Sequence, residues 1–377
     1  MNMRNPISLL LFFFSFFLFP LQSNAKLVIA DGGAAGYLME NNLSATTLAV
    51  AMEADIIKLD LLMTKDNEVI VYSSLYLEYG TNVEEVFPDR AREDGHFYVL
   101  DFTINEIRQL DLRDPDKRIS AATLPRFTIS TFKEQLSLIQ SLEQSLHRSI
   151  HIGVELKKIW FHRKEGRDLT LSVLSILQQY GYTKQAERIF LFSYDVDELQ
   201  RIGKKLLPPK QMAINLVQLV DTPEGSENMV EEWGEYHSYN YDWIFSNTGL
   251  HALTASVTAI ALPKYMLVDA KGALKLKSFV VNAQKLGTMI FTFPVQDEKQ
   301  TQVPFVRSFT EELEFFYFTV GVDGILTDFC KSASSFLDNR IAPLQAPSEE
   351  ETAPPANNGK TADPLHLTTP FPSEMGN

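Results

Sequence analysis

One cysteine, Cys330, is all that the chain has, so no intramolecular disulfide can form and the fold must be held by its core. Positive charge is short: 34 lysines and arginines against 48 aspartates and glutamates leave a net charge of −14. That balance argues against nucleic acid or an anionic membrane surface as a partner. Beyond the first 25 residues no apolar run approaches the roughly 20 residues needed to span a bilayer. The dinucleotide fingerprint G-x-G-x-x-G is missing too, because "DGGAAG" has the wrong spacing. A last absence is local. The stretch "LVIADGGAAGYLMENN" (27–42) runs from a hydrophobic strand through a glycine-rich turn into a helix, a layout that commonly presents a phosphate group or an active side chain. Yet this turn contains no histidine, arginine, serine or cysteine, and its charged groups are Asp31 and Glu40.

What is present at the two ends has its own character. Arg4, the apolar run "ISLLLFFFSFFLF" and the small residues of "SNA" before Lys26 read as a secretion signal over residues 1–25. The run is too short to span, and no cysteine sits at the cleavage point. The expectation is therefore a secreted or periplasmic chain, not a lipoprotein, with no transmembrane anchor after cleavage. From Pro343 onward the chain carries seven of its 18 prolines, "SEEE", few aromatics and no periodicity. Such a segment buries too little apolar surface to offset its ordering entropy, so residues 341–377 are expected to form a disordered, Pro-rich acidic tail. The roughly 315 residues between, 26–340, are enough for one large core.

Within that span short apolar runs alternate with helical patterns. The candidate strands are "KLVIAD", "IIKLDLLMT", "EVIVYSS", "IHIGVELK", "RIFLFSY", "MAINLVQLV", "AIALPKYMLV", "TMIFTFPV" and "GILTDF". Most are apolar on both faces, as buried parallel strands are. "STFKEQLSLIQSLEQSL" opens on a Ser/Thr cap and "DLTLSVLSILQQYG" closes on glycine, as helices do. Repeated strand–helix units of this length predict an α/β (β/α)8 TIM barrel, with "EVIVYSS" pairing beside "IIKLDLLMT" and a long insertion over 77–124 after the second strand region.

Barrel chemistry sits at the C-terminal ends of the strands. Asp31 ends the first. Lys58 and Asp60 share a face of the second, Ser73 and Ser74 end the hairpin strand, and Glu155 and Lys157 share a face of the next. Ser193 and Asp195 end "RIFLFSYD", and Asp328 ends the last. Three or four carboxylates at one mouth could hold a divalent cation through oxygen ligands. Helix capping competes with that reading and is the expectation for Asp195 and Asp328. Asp60 and Glu155 lie inside strands with Lys58 and Lys157 beside them, which favours a site, since a buried charge needs a partner.

Here a resemblance becomes visible. The stretches "GYLMEN", "DLLMTKDNEVIV", "FPDRAREDGHFYVLDFT", "VELKKIWFHRKEGRDL", "YDVDELQRI", "NLVQLV" and "YNYDWIF" resemble the periplasmic branch of the glycerophosphodiester phosphodiesterases, over nearly the whole of 26–337. The resemblance implies a (β/α)8 barrel that cleaves glycerophosphodiesters to glycerol 3-phosphate and an alcohol. It implies a divalent cation, commonly calcium, and two histidines for acid–base work. One histidine opens an H-R-G turn, the metal is held by an E-x-D pair and a later glutamate, and a further glutamate follows the first turn.

Against that pattern the chain departs at four positions. Asp31 stands where a catalytic histidine is implied, and Gly32 where the phosphate-binding arginine is. Lys58 replaces a metal-ligating glutamate while Asp60 remains, and Ser73 takes the second histidine position. Glu155 and Lys157 match the later metal and phosphate positions, and Glu40 the glutamate after the turn. Of the seven histidines, His162 is the one expected near the mouth. The expectation is a family member whose hydrolase machinery is impaired or lost, with calcium binding weak or absent. It would act by binding a glycerophosphodiester, a related small phospho-ligand or a protein that the sequence does not name. The alternative is an active phosphodiesterase working through Asp31, Asp60 and Glu155. Period-2 alternation also predicts an ion pair between Lys58 and Asp60, Glu155 or both.

Overall fold

The computed structural model describes residues 26–114 and 126–345. The expected secretion signal (1–25) and the tail from residue 346 onward lie outside them. The strands are β1 (Leu27–Asp31), β2 (Ile56–Met63), β3 (Val69–Val71), β4 (His151–Leu156), β5 (Ile189–Ser193), β6 (Asn215–Leu219), β7 (Met229–Glu232), β8 (Glu235–Ser238), β9 (Ala259–Pro263), β10 (Met289–Phe293) and β11 (Gly324–Thr327). Eight of them, β1, β2, β4, β5, β6, β9, β10 and β11, pair in parallel, and β11 returns to β1, so the sheet closes into a TIM barrel with helices between its strands. β3 is antiparallel to β2, with Leu61 opposite Val71. That is the hairpin expected of "EVIVYSS".

The pleat explains what fills the barrel. Alternate residues point inward, and Ile29, Ile56, Phe190, Phe192, Val217, Leu219, Ala259, Ala261, Phe291 and Leu326 form one buried cluster. Each large apolar side chain so buried contributes about 1.5–3 kcal/mol. The same alternation carries the inward face upward from Ile29 to Asp31, from Ile56 to Lys58 and Asp60, and from Gly153 to Glu155. The apolar plug is therefore topped by charge at the C-terminal mouth.

Caps set the helix starts. Thr131 and Glu134 make a reciprocal capping box on the helix Phe132–Leu146, a device whose loss costs about 0.5–2 kcal/mol. Asn42 accepts from the Ser44 and Ala45 amides at the head of the helix Leu43–Ala51. The glycine turn between β1 and that helix is forced: Gly33 has φ +83°, and a Cβ there would lie 2.8 Å from the Ala45 carbonyl carbon.

Three expectations need correction. The last helix is Cys330–Gln345, so residues 341–345, assigned to the tail, continue that helix; Pro343 falls in its final turn, close to where the helix ends. The run "AIALPKYMLV" leaves the sheet at Pro263 and turns into the short helix Lys264–Leu267, because proline has no N–H to carry the ladder further. The hairpin β7–β8 was not expected at all. Its two-residue turn puts Trp233 (φ +56°) and Gly234 (φ +86°) in the left-handed region, the primed geometry that asparagine normally signals. The described part of the insertion, 77–114, holds two one-turn helices, Val83–Val86 and Ile104–Ile107, among short 3₁₀ turns. Among the described residues no helix is long and apolar enough to cross a membrane.

Candidate functional site

Lys58 is the centre of the mouth. Its Nζ lies 2.7 Å from Asp31 Oδ1, 2.6 Å from Asp60 Oδ1 and 2.7 Å from Glu155 Oε2. An ammonium has three N–H donors, and three carboxylates meet it. Register explains the geometry. Asp31 sits opposite Lys58 in the β1–β2 ladder, and Asp60 opposite Glu155 in the β2–β4 ladder. Space comes from Gly153: a Cβ there would press within 3.0 Å of Lys58 Cα and 3.1 Å of Phe192 Cε2. The Lys58, Asp60 and Glu155 side chains are 3%, 8% and 4% exposed, while Asp31 opens to the mouth at 29%.

The electrostatics follow. Burial works against the Lys58 charge, but Asp31, Asp60 and Glu155 outweigh it and hold the ammonium well above its ordinary value. Asp60 is opposed by burial in the same way, yet Lys58, Lys157 and the Asn41 amide hold it below the carboxylate range. Asn41 grips Asp60 from both sides: its Nδ2 donates to Asp60 Oδ2 at 3.0 Å and its Oδ1 accepts the Asp60 amide at 3.1 Å. Asn41 N–H in turn donates to Gly32 O at 2.8 Å. The glycine turn is thus tied to the charged cluster through Asn41. For Asp31, burial wins and the carboxyl is raised.

Lys157 Nζ stands 2.8 Å from Glu155 Oε1, so both oxygens of Glu155 face a lysine. On its other side lies Glu227, at 3.3 Å, and Glu227 also reaches Lys158 at 3.1 Å. Ser73 Oγ donates to Glu40 Oε1 across the mouth. Burial, then Asp60, push the Glu40 carboxyl up to about 7. A carboxyl raised above its unfolded value binds its proton more tightly in the folded state. Its ionisation therefore costs stability as pH rises from about 4.5 to above 7. Glu40→Gln should leave stability unchanged near pH 4 and raise it at pH 8. The carboxyl is crowded by the groups of the mouth, yet the side chain as a whole still reaches solvent, and screening limits the gain to about 1 kcal/mol or less. Urea unfolding at the two pH values reads the difference, and an equal effect at both would contradict it.

His162 does not reach the mouth as a free base. It is 1% exposed, its Nε2 accepts the Met63 amide at 3.2 Å and its Nδ1 lies 3.1 Å from Lys158 O. Burial pushes it down to about 4, so it is a neutral strut in the wall. Asp195 caps the helix Val196–Arg201 by accepting from Glu198 N, as expected, and pairs with Arg163 at 3.1 Å. At Asp328 it is the backbone that joins the turn, its carbonyl accepting Gly36 N–H at 3.0 Å.

Sequence reasoning missed three things here. Asp31 as a third partner of Lys58 needed the β1–β2 register. Glu227 lies on an irregular loop with no periodic signal. The wholly buried pair Lys264–Glu312 (2.9 Å) ties the short helix after β9 to the helix Phe309–Glu314 after β10, and "PKYMLV" had hidden its lysine in a supposed strand. Two of the stretches that carry the resemblance meet in space, which the sequence did not indicate. Arg92 of "FPDRARED" holds Asp101 through Nε and Nη2 at 2.7 and 2.8 Å, lies over the Tyr98 ring at 4.1 Å, and reaches Glu165 of "WFHRKEGRDL" at 3.0 Å. The insertion is thereby fastened to the mouth wall.

Comparison with known proteins agrees in extent. Residues 32–332 match the Glycerophosphoryl diester phosphodiesterase family. A glycerophosphodiester phosphodiesterase of Treponema pallidum is 32% identical over 84% of this chain and 92% of its own. One from Haemophilus influenzae is 30% identical over 83% and 90%. The structure of an Oleispira antarctica phosphodiesterase in complex with the product sn-glycerol-3-phosphate superposes with a TM-score of 0.56 at 15% identity, over 83% of this chain and 97% of that one, a likeness of fold. The chain belongs to the glycerophosphoryl diester phosphodiesterase family.

Proposed function

We propose that this family member has exchanged hydrolysis for binding, with the Lys58 ammonium taking the charge-balancing place of the divalent cation. The observation that carries the reading is the approach of Lys58 Nζ to within 2.7 Å of one oxygen from each of Asp31, Asp60 and Glu155. These residues do not fit the family's cation. An ion taking those oxygens would meet a buried ammonium, and displacing that ammonium would strand it in a low-dielectric site. Among the described residues no group of three or more histidines, cysteines, aspartates or glutamates is placed to hold a metal ion.

The acid–base positions support the same reading. Proton transfer near neutral pH needs groups whose pKa values lie near 7. Asp31 and Ser73 stand where histidines are implied; a serine hydroxyl is no proton donor of that strength. Asp31 is committed to Lys58, and His162 has both ring nitrogens engaged. The ligand of the mouth, on this reading, is a small phospho-compound of the glycerol phosphate class, the kind of molecule that the Oleispira antarctica phosphodiesterase holds as product. The chain would work outside the cytoplasm; the Arg4-led apolar stretch and "SNA" before Lys26 support that.

The test is release of glycerol 3-phosphate from glycerophosphocholine by the purified chain, with and without calcium. No release above a buffer blank is expected. Turnover that disappears in Asp31→Ala would establish the altered but active site instead.

A further inference from the structure

Lys157 and Lys158 stand side by side on the mouth wall, and a loop of the chain already occupies them. Glu227 Oε2 is 3.3 Å from Lys157 Nζ and Glu227 Oε1 is 3.1 Å from Lys158 Nζ. Lys158 Nζ also donates to Ser226 O at 3.0 Å and Ser226 Oγ at 3.2 Å, and Trp160 Nε1 donates to Ser226 O at 3.3 Å. The loop is pre-shaped for this reach: Asp221 accepts the Thr222 and Glu227 amides at 2.8 and 3.0 Å. Lys158 itself has φ +48°, a conformation uncommon for a side-chain-bearing residue and concentrated at functional sites. Lys158 thus holds an uncommon backbone where its ammonium meets Glu227.

We infer that Glu227 is an internal competitor for a phosphate monoester: its carboxylate occupies the Lys157–Lys158 pair, and the loop 221–228 releases it when a phosphate group arrives. The inference rests on the ligand-binding reading above. The competition has a direction. A carboxylate brings one negative charge and two oxygens, whereas a phosphate monoester near neutral pH brings close to two charges and three terminal oxygens. A diester brings one charge and is the weaker displacer. The latch therefore selects monoesters, such as glycerol 3-phosphate, over the diesters that the family's reaction consumes.

Glu227→Gln tests this, because it keeps the shape and removes the charge. Binding of glycerol 3-phosphate, inorganic phosphate and glycerophosphocholine is measured by calorimetry for the wild type, Glu227→Gln and the double variant Glu227→Gln/Lys158→Ala. Glu227→Gln should bind the monoester and inorganic phosphate about tenfold more tightly, the scale of two part-exposed ion pairs relieved, and the double variant should lose the gain. Saturating the wild type with glycerol 3-phosphate should also speed amide exchange at Glu227. If the wild type binds and Glu227→Gln binds equally, the latch is overturned while the ligand-binding reading stands. If neither protein binds at millimolar ligand, both fall. Preference for the diester in Glu227→Gln would overturn the assignment of ligand class.

Discussion

Lys58→Ala should destabilise the folded protein by about 3–5 kcal/mol at pH 7, the range for removing one partner of a buried ion pair. Asp31, Asp60 and Glu155 now share that ammonium at 2.6–2.7 Å. Without it, three carboxylates face one another, with Lys157 left to offset only Glu155 directly. The loss should depend on pH with a defined sign. In the wild type the raised Lys58 contributes stability that is present below its unfolded value near 10.5 and is lost only as pH rises through the higher folded value. In the variant the uncompensated carboxyls are pushed up, so the folded state takes up protons and its deficit shrinks as pH falls from 7 towards 4. Guanidinium unfolding of both proteins at pH 7 and pH 4.5 gives the comparison. A deficit under about 1 kcal/mol at pH 7 would mean that the cluster is solvated enough for the charges to relax, as a snorkelling lysine is.

No measurable hydrolysis of glycerophosphocholine or glycerophosphoethanolamine is the second large expectation. Each acid–base group contributes about 10²- to 10⁴-fold. The two positions where the family resemblance implies histidine hold Asp31 and Ser73. Groups acting as a unit do not lose their effects additively, but even one full loss combined with a displaced cation leaves little to observe. The expectation extends to partial repair. Asp31→His with Ser73→His should return no activity, because Lys58 still fills the space among the remaining carboxylates. Adding Lys58→Glu to that pair is the change that should matter. Activity in the unmodified chain at ordinary enzymatic rates, lost on Asp31→Ala, would contradict the account.

How far the sequence reached can be judged residue by residue. The barrel was legible because its strands are apolar on both faces and separated by capped helical patterns; the Ser/Thr cap of "STFKEQL" announced a helix start that the structure keeps at Thr131. Lys58, Asp60 and Glu155 were legible as one cluster because strand alternation puts Lys58 and Asp60 on one face, and the β2–β4 ladder lies beside them. Asp31 was visible as a strand end but not as a Lys58 partner, since a cross-strand contact depends on register, which no local pattern encodes. Glu227 was invisible for a stronger reason: its place is set by a loop folded around Asp221, with no period to read. The β7–β8 hairpin escaped because Trp233 stands where asparagine would have signalled the turn. His162 was placed near the mouth correctly along the chain, but its two ring hydrogen bonds, set by the packing of Met63 and Lys158, decide that it is structural.

Calcium titration of the purified chain by calorimetry, with Lys58→Glu beside it, tests the exchange of cation for ammonium most directly. The wild type should give no binding heat at millimolar calcium. Lys58→Glu, which replaces the ammonium with a fourth carboxylate beside Asp31, Asp60 and Glu155, should bind calcium in the 10⁻⁵ to 10⁻³ M range of modest oxygen-ligand sites, roughly. Tight calcium binding by the wild type, abolished by Asp60→Asn or Glu155→Gln, would contradict the account.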